Sequence, residues 1–203
     1  MSERVADLID QLADIAPGSR LDAIRARRLQ AREHAQKSYL ALFEPEDHRG
    51  VSAIERFAVA AFVAGVHAEP AARDFYRSKL RAAAGTDIAG AIDAEIARGS
   101  TKGPYGSYPK GPLSREDSAG LIYRVSDEAR RSLGARLAAA LEHTHMLVFH
   151  LRDSDPAALQ ALLDGGWSTD DIVTLSQLTA FLSFQIRTVA GLRVLAAAPA
   201  HVA

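Results

Sequence analysis

The chain has 203 residues, 48% of them hydrophobic, enough for one substantial domain or two small ones with a real core. Lysine and arginine (24) nearly balance aspartate and glutamate (25), and the net charge of -1 argues against nucleic acid as the main partner, because such binding needs a basic face. Cysteine is absent, which excludes disulfides, thiolate metal sites and any thiol nucleophile.

The pattern along the chain predicts helices nearly throughout and no central strand. Val5, Leu8, Ile9, Leu12 and Ile15 recur at three- and four-residue steps, closed by Pro17-Gly18. Ser19 caps a second, charged helix expected to run to about Phe43. Its basic stretch RARRLQAREH reads as a solvated face or a subunit contact. After the loop EPEDHRG, Ser52 caps a helix to about His67, and Glu55 completes a capping box. That helix, IERFAVAAFVAGV, is apolar on nearly all sides and should be central and buried. Pro70 suits the first turn of the next helix, to about Ala84, and Thr86 opens a shorter one ending near Arg98. Residues 99–118 then break the period with a Gly/Pro/Tyr-rich insertion, and a loop of that length inside a compact domain is often functional. Ser126 caps a helix to about Leu151, Asp155-Pro156 opens a short one ending at Asp164, and Ser168 caps the last, long helix. The charged N-terminus lacks a signal-peptide core and no uncharged membrane-length run stands out, so a cytoplasmic protein without membrane or nucleic-acid partners is expected.

Two blocks share a layout. SAIERFAVAAFVAGVHAEPAARDF and STDDIVTLSQLTAFLSFQIRTVAG each start with a Ser cap, place an acid three residues later and continue as a long apolar helix. The expectation is one all-α domain over 1–203, with an internal helical pseudo-repeat whose units cover about 20–84 and 135–196, joined by the insertion at 99–118. The apolar helices of the two units should pack together.

On these blocks the chain resembles the alkylhydroperoxidase D-like proteins, which are grouped with the carboxymuconolactone decarboxylases and the peroxidase-related proteins. The resemblance implies an alkylhydroperoxidase D-like helical bundle and a homo-oligomer: a dimer, trimer or hexamer. Peroxidase members of that family carry Glu-Arg-Glu before the apolar helix and Cys-x-x-Cys-x-x-x-His where the next helix begins. Glu55 and Arg56 match the opening pair, but Phe57 stands at the relay Glu, Glu69 at the first Cys, Ala72 at the second and Tyr76 at the His. The framework is kept and the thiol chemistry is absent. The resemblance therefore implies a cysteine-less relative that is not a thiol peroxidase, with no bound cofactor or metal. Three functions follow: binding of a small organic molecule with acid–base chemistry, as in the decarboxylase branch; a non-catalytic partner subunit for a cysteine-bearing relative; or an antioxidant peroxidase with a non-thiol mechanism.

The residues left at the turn are His67, Glu69 and Tyr76. His, Glu and Tyr are competent acid–base groups if they converge on a pocket. The alternative is that His67 caps helix carbonyls, Glu69 is a helix cap and Tyr76 belongs to the core. Tyr105 and Tyr108, on the Gly/Pro frame of the insertion, are candidate substrate-binding residues of a lid over Glu69. Glu142 and His145 have the Glu-x-x-His spacing of di-metal bundles, yet such sites draw ligands from several helices, so His143, His145 and His150 read as solvated or hydrogen-bonded. Trp167 beside Gly165-Gly166 reads as a core plug.

Overall fold

The structure, a computed structural model, describes residues 7–48 and 50–198. Among these residues all regular structure is helical; the nearest approach to a strand is one antiparallel bridge between Gly106 and Ser118. The helices are α1 (Leu8–Leu12), α2 (Arg20–Ala26), α3 (Leu29–Phe43), α4 (Ala53–Val66), α5 (Pro70–Gly99), α6 (Asp127–Phe149), α7 (Pro156–Asp164) and α8 (Thr169–Ala197), with short 3-10 turns at Pro112–Glu116 and Leu151–Asp153.

The caps at Ser52, Ser126, Asp155 and Ser168 stand where the sequence puts them, each side chain accepting a hydrogen bond from the backbone three residues on. The N-terminal third differs. α1 ends at Leu12, short of Pro17-Gly18, and Val5 lies outside the described residues. The helix expected from Ser19 to Phe43 is two helices, broken at Arg27-Arg28, where Arg28 leaves helical geometry (φ -127, ψ 56). The break has a physical reason. It lets Arg25 of α2 and Arg32 of α3 both turn inward. Arg25 binds Asp7 at 2.8 Å, Arg32 binds Asp22 at 2.9 Å, and both reach Asp10. Arg27 and Arg28 of the basic stretch are exposed, but Arg25 and Arg32 are not part of a solvated face: they and their three acids are only 9–14% exposed and tie three helices together. A network of paired charges at this depth contributes where an exposed pair would not.

α4 is the centre. Ala58, Ala60, Phe62, Val63 and Ala64 are all fully buried, and the helix packs against α3, α5, α6 and α8. Its small residues allow close approach: a Cβ on Gly65 would lie 2.4 Å from Ile96 Cδ1 of α5. α5 is jointed at Gly85 (φ 85), close to the predicted change of helix at 84–86, and α6 is jointed at Gly134 (φ 82), which the sequence reading does not anticipate. Both positions need the left-handed region that glycine enters freely.

α4 and α8 open with matching capping boxes, Ser52 with Glu55 and Ser168 with Asp171. Arg136 of α6 joins them, its guanidinium donating to Glu55 Oε1 at 2.7 Å, to Asp171 Oδ2 at 3.3 Å and to the Gly50 carbonyl at 2.6 Å. Burial opposes ionisation of Asp171, but its bonds to Ser168 and Arg136 outweigh that and hold its pKa below the usual carboxylate value. Trp167 is buried under this junction; its indole N–H donates to the Arg136 carbonyl at 2.8 Å and the guanidinium lies 4.1 Å over its ring.

Candidate functional site

α4 ends at His67, and the chain reverses through Ala68 at φ 54, a left-handed conformation more usually taken by glycine at a helix end. Glu69 is then the N-cap of α5. Its carboxylate is 4% exposed, curls back to accept the Ala72 N–H at 2.7 Å, and is approached by Arg193 at 3.9 Å. Tyr76 goes elsewhere. It is fully buried against Phe43 and Phe75, and its hydroxyl donates to Gln185 of α8 at 2.5 Å. Burial pushes its phenol well above the ordinary value. The predicted grouping of His67, Glu69 and Tyr76 does not form. A cap residue precedes the helix and folds over its first turn, whereas Tyr76 lies two turns on, on the face that enters the core. Glu69 is a cap and Tyr76 a strut between α5 and α8.

His67 instead lines a cleft of about 650 Å³ with the loop after α5, the end of α6 and one side of α8. Its imidazole Nδ1 faces the Val63 carbonyl at 2.9 Å, an acceptor, so the proton sits on Nδ1 and Nε2 carries the lone pair. Nε2 is buried and has no hydrogen-bond partner among the described residues. Burial, reinforced by the charge of Arg187 and opposed by the Val63 bond, holds the His67 pKa below its ordinary value of 6.5. The ring is neutral at neutral pH.

The walls of this cleft are cationic and hydroxylic over an apolar floor. Arg152, Arg187, Ser176, Thr179 and Ser183 line it together with Leu147, Val148 and Phe149, and no carboxylate does. Neither arginine makes an ion pair among the described residues. Arg152 is positioned by Tyr108, whose ring lies 4.2 Å beneath its guanidinium.

The insertion is ordered against the end of α6. The Tyr105 N–H donates to the Phe149 carbonyl at 2.6 Å, its hydroxyl pairs with Thr101 Oγ1 at 2.7 Å, and the Tyr108 N–H donates to Asp117 Oδ1 at 2.7 Å. Tyr105 lines the cleft beside His67; Tyr108 and Glu69 do not. The expected lid thus meets His67 rather than Glu69, and only through Tyr105. Nothing in the local sequence of α8 or of the two arginines, more than eighty positions from His67, marks them as its neighbours.

The histidines of α6 line a second cavity of about 390 Å³ with Tyr123 and Met146. His145 stacks on Tyr123 at 4.8 Å, and its Nε2 donates to the Gly99 carbonyl at 2.9 Å. His150 sets Nδ1 against Asp153 Oδ2 and Nε2 against the Leu121 carbonyl, each at 2.9 Å. Glu142 accepts from the Val125 N–H at 3.0 Å and from Arg130 at 2.5 Å. Glu142 is held by cationic and backbone donors, and among the described residues no group of three or more His, Asp or Glu is arranged to hold a metal ion.

Compared with known protein families, with curated proteins and with solved structures, the chain matches none.

Proposed function

We propose that the protein binds a small organic acid in the His67 cleft and acts on it by acid–base chemistry without a thiol. The observation that carries this reading is the lining: among the described residues, two arginines without an ion pair, the hydroxyls of Ser176, Thr179 and Ser183, an apolar floor and no carboxylate. A carboxylate on Arg187 and Arg152 would be held by charge-assisted hydrogen bonds, with its hydrocarbon part on Leu147, Val148 and Phe149. His67 supplies the base. With a small shift of the side chains over the buried Nε2, its lone pair would take a proton from the carbon beside the ligand's carboxylate, and the negative charge left on that carbon and its carboxylate would face the arginines. The cysteine-less alkylhydroperoxidase D-like reading, with its carboxymuconolactone decarboxylase branch, is part of this proposal. It is supported by the sequence resemblance and by the matched capping boxes of α4 and α8.

Calorimetry with benzoate and hexanoate, against their methyl esters, tests it. The acids should bind and the esters should not. Arg187→Ala should weaken binding by about tenfold, the loss of one charge-assisted hydrogen bond. Tyr76→Phe should leave affinity unchanged, since its hydroxyl faces Gln185. Equal affinity for acid and ester, or none for either, would sink the reading.

A further inference from the structure

The His67 cleft uses one side of the end of α6, and another side of the same helix lines the cavity of about 390 Å³. Ala139, Glu142, His143, Met146 and His150 recur at three- and four-residue steps and form that face. α7 supplies a facing wall of Ala157, Ala158 and Ala161, and alanines there leave the width that longer side chains would fill. The two cavities differ in sign. The His67 cleft has two arginines and no carboxylate, whereas this one is lined by Glu142, Asp153 and Asp155 against a single guanidinium, that of Arg124, among the described residues.

Two acceptors in it have capacity to spare. The Glu142 side chain is 16% exposed, and its Oε1 accepts from the Val125 N–H and from Arg130. Its Oε2 meets only Arg124, at 3.4 Å and from a side chain that is 72% exposed. His143, 5% exposed, sets Nε2 against Ser176 Oγ of α8 at 3.4 Å. Its Nδ1 is buried without a hydrogen-bond partner among the described residues. Burial holds the His143 pKa below its ordinary value of 6.5, so the ring is neutral at neutral pH. The serine oxygen can accept from Nε2, which leaves the lone pair on Nδ1. An unpaired buried nitrogen of this kind marks a place for a donor.

We propose that this cavity binds a small organic ammonium ion, which donates to Glu142 Oε2 in the place of Arg124 and to His143 Nδ1, with its hydrocarbon part between Met146 and the alanines of α7. A small shift of the side chains over Nδ1 opens it to the ligand. An ammonium has three donors and no acceptor, which suits polar atoms that accept. Asp153 and Asp155 add attraction for a cation and repel a carboxylate. A bare metal ion would leave the apolar wall unused, and no three ligands are grouped to hold one among the described residues. The site is separate from the His67 cleft and does not depend on the acid reading.

Calorimetry with benzylammonium against benzyl alcohol, which has nearly the same shape and no charge, tests it. The ammonium should bind saturably and the alcohol at least about tenfold more weakly. Glu142→Gln should weaken ammonium binding by about tenfold, the loss of one charge-assisted hydrogen bond. Glu142 also holds Val125 and Arg130, so Ala161→Phe tests the cavity without touching it. Ala161 is exposed on α7, and a ring there should abolish binding with the helical circular dichroism unchanged. Arg124→Gln should tighten binding by up to about fivefold, the worth of an exposed ion pair that no longer has to be displaced. Arg187→Ala, which tests the acid cleft, should leave benzylammonium affinity as it was. No saturable binding, equal affinity for the alcohol, or binding that survives Ala161→Phe overturns the proposal. So does a loss of affinity in Arg124→Gln or in Arg187→Ala, the last because it would put the ammonium in the other cleft.

Discussion

Helices α4 and α8 start from one device and arrive in different surroundings. Each opens on a Ser cap with an acid three residues in, and one arginine grips both acids. Past that point α4 runs through the middle of the molecule with its alanines and Phe62 fully buried, while α8 buries one stripe and leaves Phe184 and Val194 bare. The caps specify where a helix begins. What a helix does is settled by how much of its circumference its neighbours occupy.

The largest test of this contrast exchanges one phenylalanine on each helix for alanine. Phe62→Ala should cost about 3–5 kcal/mol, the usual penalty for a cavity in a close-packed core. Phe184→Ala should change the stability of the isolated chain by less than about 0.5 kcal/mol, as for a surface side chain. Chemical denaturation at concentrations below any association measures both. Similar costs would mean that α8 is covered within its own chain. A smaller effect should come from Arg136→Ala, about 2 kcal/mol, because one substitution removes charged hydrogen bonds from both helix starts. If the caps act independently of Arg136, the loss should shrink to that of an ordinary surface change.

The smallest effect separates the helices by pH. α4 ends on His67, whereas the buried polar residues of α8 are Thr179 and Gln185, which do not titrate. Burial holds His67, and also His143 and His145 of α6, below the ordinary value of 6.5. The unfolded chain therefore takes up protons first as pH falls. Stability should be full above about pH 6.5 and decline below it. Thermal midpoints at about pH 7.5 and about pH 5.5 should show the drop, and His67→Gln should make it shallower. An unchanged slope in that variant would mean that His67 titrates alike in both states.

Much of the helical framework is legible in the chain because caps are local: a Ser and an acid three residues apart carry their own hydrogen bonds. The break at Arg27-Arg28 is not legible, since its cause is Asp7 and Asp10 on another helix. The candidate site divides in the same way. His67 and Tyr105 were identifiable as a helix end and an aromatic on a stiff loop, yet their common cleft is made by α8. Glu69 and Tyr76 failed as a pair for a related reason. Glu69 precedes the helix with its carboxylate turned back onto Ala72, whereas Tyr76, two turns on, reaches Gln185 of α8.

Gly99, whose carbonyl accepts the hydrogen bond from His145 Nε2, contributes through what it lacks. A methyl group there would press within 3.2 Å of His145, 3.3 Å of Phe62 and 3.4 Å of Tyr123. To accommodate it, the rings would have to give by a few tenths of an ångström around the imidazole's bond to the carbonyl. Which nitrogen of a buried histidine holds its hydrogen is thus decided by a residue with no functional group to offer. In the vocabulary of inheritance, every missense change at that codon writes a side chain into a space bordered by rings, so a silent-looking position guards the setting of a buried histidine.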